Sequence, residues 1–234
     1  MSIAENVARI KAEMAAAAVA CGRDPGEIQL CAATKMNDAD AVRQAIAAGV
    51  DCCGENRVQE LVAKLAENAY EGAPVHFIGH LQTNKVKYLV GKADLIHSVD
   101  SEHLAEEIAR QSIRLGITTP VLVQINAGEE TSKSGVSPAQ APEFFAKIAE
   151  MKGLSLRGMM VVAPICDENT VLRKYFQESY RIFIDFFGKN THNIREPILS
   201  MGMSDSYEIA VEEGATEVRV GSALFGRRLY PPKP

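Results

Sequence analysis

Ile28-Gln29-Leu30-Cys31-Ala32-Ala33-Thr34-Lys35, then Asp38 to Ala48 with Gly49, then Val50-Asp51-Cys52-Cys53-Gly54, is the stretch on which the fold reading turns. The segment from Ile28 to Ala33 is short and apolar, as a strand covered on both faces is. Asp38 to Ala48 carries apolar residues at helical spacing and stops at a glycine, a common helix terminator. Val50 to Gly54 is again a short strand. One strand, one helix and a second strand in so few residues make a βαβ unit, whose strands are parallel.

The same alternation runs outward along the chain. A helix is expected from about Asn56 to Asn68, a third strand over Val75 to Gly79, and a helix over Asn84 to Val90. Asp94 to His97, Pro120 to Asn126, Leu154 to Val162, Pro197 to Met201 and Thr216 to Val220 read as strands four to eight. Between them lie helices over Ser101 to Leu115, Ser137 to Met151, Glu168 to Phe187 and Asp205 to Glu213. Eight strands, each answered by a helix, predict an α/β protein: one (β/α)8 TIM-type barrel, typically about 200–250 residues. Met1 to Cys21 adds an extra N-terminal amphipathic helix. A doubly wound open sheet is the competing architecture. It would leave eight strands open, and the first βα turn lacks the glycine-rich phosphate fingerprint. No composition shift divides residues 1–234, so the whole chain is read as one domain.

Composition narrows the function classes. The 234 residues carry a formal net charge of −5 with both signs dispersed. No Lys/Arg cluster marks a nucleic-acid surface. No apolar stretch approaches the roughly 20 residues of a membrane span. Glu5, Arg9, Lys11 and Glu13 interrupt the Ala-rich start, which therefore lacks the order of a secretory signal. Five cysteines without a Cys-x-x-Cys pair argue against a disulfide framework and for a cytoplasmic location. His76, His80, His97, His103 and His192 show no metal-ligand spacing, so no metal site is expected.

In such barrels the chemistry collects where strands end. Lys35 directly follows strand one, and a lysine leaving an apolar strand is partly desolvated. Desolvation favours the neutral amine, the form that attacks an aldehyde; an ordinary solvated lysine is the alternative. Cys53-Gly54-Glu55-Asn56-Arg57, His76-Phe77-Ile78-Gly79-His80 and Asn126 also stand at strand ends, where Asn, Ser and Thr serve equally as helix caps. Strands seven and eight run into Leu199-Ser200-Met201-Gly202-Met203-Ser204-Asp205 and Arg219-Val220-Gly221-Ser222. Glycines there let backbone N–H groups approach an anion, and barrels often hold phosphate after these two strands. Tight-turn geometry is the plainer reason for the same glycines.

Ala32-Ala33-Thr34-Lys35, Cys53-Gly54-Glu55-Asn56 with Val58-Gln59-Glu60, and His76-Phe77-Ile78-Gly79-His80-Leu81-Gln82 with Asn84-Lys85 occur in that order. They continue with Ser132-Lys133-Ser134-Gly135, Ser200-Met201-Gly202-Met203-Ser204, and Val218-Arg219-Val220-Gly221-Ser222 with Phe225-Gly226. This set, spread over almost the whole chain, resembles the pyridoxal phosphate homeostasis protein family, the one-domain relative of the alanine racemase barrel. The resemblance implies that Lys35 carries pyridoxal 5'-phosphate as an internal aldimine. It implies that Ser204, Gly221 and Ser222 hold the phosphate, that Arg219 faces the pyridine nitrogen, and that Asn56 and Met201 line the ring pocket. The family usually has Ser-Lys-Thr-Lys around the lysine, where this chain has Thr34-Lys35-Met36-Asn37, so a nearby second lysine is missing. Proline is usual at His80, and Asn126-Ala127-Gly128 replaces a more polar run.

A carboxylate at the pyridine nitrogen makes the ring a strong electron sink, whereas arginine cannot accept that proton. The implied reading is a non-catalytic carrier that holds the cofactor and passes it on. Apo forms of cofactor-dependent enzymes are the implied recipients, and a monomer is expected. A pyridoxal-phosphate-dependent amino-acid racemase or lyase is the enzyme alternative, and a Schiff-base aldolase using Lys35 alone is another. The opposite base of alanine racemases is a tyrosine on a second, β-rich domain of the partner subunit. Tyr230-Pro231-Pro232-Lys233-Pro234 is expected to leave no length for such a domain.

Overall fold

A computed structural model describes residues 1–128, 134–164, 168–189, 194 and 196–226. Eight parallel strands close into a barrel in chain order: β1 (Gln29–Ala33), β2 (Cys52–Glu55), β3 (Val75–Phe77), β4 (Leu95–Val99), β5 (Thr119–Asn126), β6 (Leu154–Val162), β7 (Ile198–Ser200) and β8 (Glu217–Val220). Closure rests on β8 pairing with β1 through Leu30–Val218, Cys31–Arg219 and Ala32–Val220. The (β/α)8 barrel expected from the alternation is the fold observed. The N-terminal helix α1 (Ile3–Ala20) is present too, opened by a capping box between Ser2 and Glu5.

The intervening helices are α2 (Ala39–Ala47), α3 (Val58–Ala66), α4 (Val86–Leu89), α5 (Glu102–Leu115), α6 (Ala141–Glu150), α7 (Asn169–Phe187) and α8 (Tyr207–Glu212); a short α9 (Ser222–Phe225) follows β8. Asp38 caps α2, and Ser101 caps α5, which ends at the left-handed Gly116. Two expectations change. The helix expected from Asn84 is a 3-10 turn over Thr83–Lys85 leading into the single turn of α4. Helix α6 begins at Ala141 rather than near Ser137, because a turn over Ser137–Gln140 precedes it. No helix among the described residues is long and apolar enough to cross a membrane.

Alternation along the strands divides two interiors. Outward residues such as Leu30, Ala32, Phe77, Ile96, Val123, Val161 and Val218 join one large core between barrel and helices. Inside the barrel, Leu95, Leu122 and Met160 form a separate apolar cluster, with Val162 and Ile198 packed against it. The opposite half of the interior carries Cys31, Cys52, His76, His97, Ser200, Glu217 and Arg219, all buried. Cys21, Cys31, Cys52 and Cys53 are free thiols; Cys53 joins the outer core and Cys21 is exposed.

Candidate functional site

A cavity of about 570 Å³ opens at the C-terminal mouth of the barrel. Lys35, Asn56, Ser204, Arg219, Gly221 and Ser222 line it, and Ile78, Met160, Val162 and Met203 supply apolar wall. Six of the seven residues singled out in the sequence therefore meet in one space. The seventh does not. Ser200 points inward to Glu217, so the next residue, Met201, turns outward and is fully buried in the helix-side core. Met203 takes the wall position that Met201 was expected to hold.

The backbone around Lys35 is clamped from several sides. Lys64 of α3 is buried and forms an ion pair with the fully buried Glu55 at the end of β2. Its ammonium also donates to the Thr34 carbonyl (2.8 Å). The Thr34 hydroxyl donates to Glu55 (2.7 Å), and the Tyr70 hydroxyl donates to the same oxygen (3.2 Å). Desolvation and the Glu55 charge push the Tyr70 phenol far up, so it stays a donor. On the other side, the Met36 N–H donates to Glu60 (2.6 Å), holding Met36 at φ 62. A non-glycine residue with positive φ stores backbone strain of about 1–3 kcal/mol. The loop bearing Lys35 is thus fixed by its neighbours rather than by its own preferences.

Asn56 reaches the cavity because Gly79 lets the ends of β2 and β3 touch. A Cβ at residue 79 would collide with the Asn56 carbonyl. The Asn56 Oδ1 is buried without a hydrogen-bond partner, a donor-seeking atom in a cavity-lining side chain.

One corner of the cavity combines Ser204 with the start of α9. The N–H groups of Gly221 (3.1 Å) and Ala223 (3.2 Å) both donate to the Ser204 Oγ. With its lone pairs occupied, the hydroxyl keeps its own proton for an anion in the cavity. Helix α1 braces this corner from behind: Asn6 donates to the Leu224 carbonyl (2.8 Å) and Arg9 to that of Ala223 (3.2 Å).

The paired glycines differ in their reasons. Gly202 has φ 91, and a Cβ there would lie 2.5 Å from the Ala210 Cβ. Gly221 has φ −119, and a Cβ would meet Ala33 at an ordinary 3.4 Å. Gly202→Ala is therefore expected to cost about 2–4 kcal/mol, and Gly221→Ala less than about 1 kcal/mol. Urea unfolding of both variants checks this, and equal losses would show that the two turns constrain the chain alike.

Arg219 forms the cavity floor. Its guanidinium donates to the Ser200 Oγ (2.7 Å) and the Val161 carbonyl (2.9 Å), and Ser200 donates onward to Glu217 (2.6 Å). Burial lowers the Arg219 pKa, an effect opposed by Glu217; arginine nonetheless stays charged in proteins. Burial would raise the Glu217 carboxyl, but His97, His76 and Ser200 together hold it well below the usual range. His97 is pushed down to about 3, chiefly by complete burial, with Glu217 opposing.

Several of these groups escaped the sequence reading. Met160 and Val162 sit in an unbroken apolar run, where inward and outward positions look alike. Lys64 reads as a helix-surface lysine, and only the fold turns it under Lys35. Ser132, Lys133, His192 and Tyr230, considered above, and the fifth cysteine, Cys166, lie outside the described residues.

The model of the alanine racemase N-terminal domain family matches residues 2–229. The pyridoxal phosphate homeostasis protein of Aquifex aeolicus is 37% identical over 230 residues, covering 98% of this chain and all of that protein. Its namesake in Escherichia coli K12 is 39% identical, covering 99% of both chains. A solved structure of PipY from Synechococcus elongatus with pyridoxal phosphate bound superposes with a TM-score of 0.81 at 33% identity. It covers 96% of this chain and 100% of that one.

Proposed function

The chain belongs to the pyridoxal phosphate homeostasis proteins within the alanine racemase N-terminal domain family, and from that premise we propose that it binds pyridoxal 5'-phosphate at the barrel mouth as a carrier rather than a catalyst. The observation that carries the reading is one cavity offering an amine, a serine-and-backbone corner and a buried guanidinium. These match an aldehyde, a phosphate and a pyridine nitrogen. The orphaned Asn56 Oδ1 adds an acceptor suited to a ring hydroxyl. When bound, pyridoxal phosphate supplies an aldehyde carbon open to amine attack and a ring able to draw electrons from that carbon.

The chain's own residues decide how far such chemistry goes. Lys35 offers the amine from a backbone held by Lys64, Glu55 and Glu60. Ser204 offers a proton to the phosphate, with Gly221 and Ser222 at its side. Arg219 donates hydrogen bonds but accepts no proton, so it leaves a pyridine nitrogen unprotonated and the ring a weak electron sink. Its contacts to Ser200 and Val161 keep the guanidinium in one place. Lys35, Asp205 and Arg219 are the charged side chains among the described lining residues. This arrangement favours holding the cofactor and releasing it to amines, including the lysines of apo-enzymes.

Two measurements test the reading. Pyridoxal phosphate should bind more tightly than pyridoxal, and Ser204→Ala should remove about 1–3 kcal/mol of the preference. Equal affinities for both ligands in the wild type would place the phosphate outside this corner. Loaded protein incubated with alanine in deuterium oxide should exchange the Cα hydrogen only slowly and yield no racemate at enzyme-like turnover. Rapid exchange with inversion would favour the racemase alternative instead.

A further inference from the structure

Two carboxylates among the described residues are completely buried, Glu55 and Glu217. Glu55 is answered directly by Lys64. Glu217 is not answered in that way: its ion-pair neighbours among the described residues are the imidazoles of His76 and His97. The buried cation two residues further along β8, Arg219, reaches it only through Ser200. We propose that Glu217 is a positioning residue for the cofactor cavity: through Ser200 it fixes the Arg219 guanidinium at the cavity floor and supplies the counter-charge that sets how positive this floor is. The inference rests on the carrier reading, in which Arg219 meets the pyridine nitrogen.

Strand geometry produces the arrangement. Residues 217 and 219 are two apart on one strand, so both side chains enter the barrel. Ser200 on β7 is the register partner of Glu217. Arg219 Nη1 donates to Ser200 Oγ (2.7 Å), and that hydroxyl donates to Glu217 Oε1 (2.6 Å). The serine therefore accepts and donates at once, and the two charges are bridged rather than touching. A direct ion pair would draw the guanidinium toward the carboxylate and away from the cavity. The Val161 carbonyl (2.9 Å) anchors the other arm.

The carboxylate is itself held from the opposite wall. His76 Nδ1 (β3) stands 3.2 Å from Oε2, and the Cys52 thiol (β2) donates to the same oxygen at 3.7 Å. His97 Nδ1 (β4) stands 3.6 Å from Oε1, and His97 Nε2 meets His76 Nδ1 at 3.1 Å, so the rings brace each other. Cys31 (β1) is the register partner of Cys52 and the remaining titratable group here. Its hydrogen bond with Cys52 lowers Cys31 and raises Cys52, and burial leaves both thiols above the ordinary value. His97 is pushed down to about 3, chiefly by burial. Neutral thiols and a neutral His97 leave Glu217 as the negative charge that answers Arg219. The carboxylate has hydrogen-bond donors enough without the arginine. The arginine has no such surplus: a buried guanidinium at a cavity floor is costly without a counter-charge.

The test uses the full-length protein loaded with pyridoxal phosphate. Glu217→Gln keeps an acceptor for Ser200 and removes the charge. The floor becomes more positive, which disfavours protonation nearby, so the pH midpoint of the bound cofactor's visible band should fall by about 0.5–1 pH unit. Glu217→Asp keeps the charge and should restore most of the shift. Ser200→Ala keeps both charges and breaks the bridge, which covers the case of a Glu217→Gln variant that does not fold. It should weaken pyridoxal phosphate binding about 5–20-fold, yet change by less than about twofold the binding of an analogue with a ring CH in place of the nitrogen. A purely structural role would weaken both ligands alike. An unchanged midpoint in folded Glu217→Gln, or equal losses for the two ligands in Ser200→Ala, would overturn the proposal while leaving the carrier reading intact. Wild-type protein that takes up neither ligand would overturn the carrier reading and this inference together.

Discussion

Lys35→Ala is expected to abolish covalent capture of pyridoxal phosphate while leaving non-covalent binding measurable. In the wild type, borohydride reduction followed by peptide mass mapping should place the pyridoxyl group on Lys35. The reason is positional. Among the described residues lining the cavity, Lys35 is the primary amine, and the other side of the space carries Ser204, Ser222 and Arg219. The Ser204 corner, proposed to hold the phosphate, and the arginine do not depend on the lysine, so the variant should still bind cofactor reversibly. A label recovered wholly from Lys64, Lys85 or another lysine would move the covalent site elsewhere. Undiminished trapping in Lys35→Ala would do the same.

Lys64→Met should lower stability by about 3–5 kcal/mol, the cost of leaving a buried partner charge uncompensated. Glu55 is fully buried, and Lys64 is 5% exposed. Removing the ammonium strands the carboxylate and also deprives the Thr34 carbonyl of its donor. Adding Glu55→Gln should recover part of the loss, since the amide is neutral and still accepts from Thr34 and Tyr70. Urea unfolding of the single and double variants measures both effects. A loss under about 1 kcal/mol for Lys64→Met would show that water reaches the pair. In the double variant, borohydride trapping at Lys35 should proceed more slowly, because Thr34 beside it is less firmly held.

The sequence by itself determined the eightfold strand–helix alternation. Continuous apolar strands such as Leu154 to Val162, separated by capped helices and glycine stops, admit few arrangements other than a parallel sheet with helices outside. It also marked the strand ends that the structure gathers around one cavity. Lys35, Asn56, Ser204, Arg219, Gly221 and Ser222 all follow or end apolar runs, and a barrel brings its strand ends to one mouth. These are local facts, written in composition and short spacing, and they survive any detail of packing.

Only the tertiary structure decided which side each residue faces. Met201 and Met203 are equally apolar in the sequence, yet the pleat after Ser200 sends the first to the core and the second to the cavity. Lys64 and Glu55 are nine positions apart on a helix and a strand, and become a buried pair once α3 packs over β2. Cys31, Cys52, His76, His97 and Glu217 show no ligand spacing along the chain, and they converge because barrel closure places five different strands around one axis. Periodicity records how a segment meets its immediate surroundings. Closure and register record how distant segments meet each other, and that information resides in the joint packing of all eight strands.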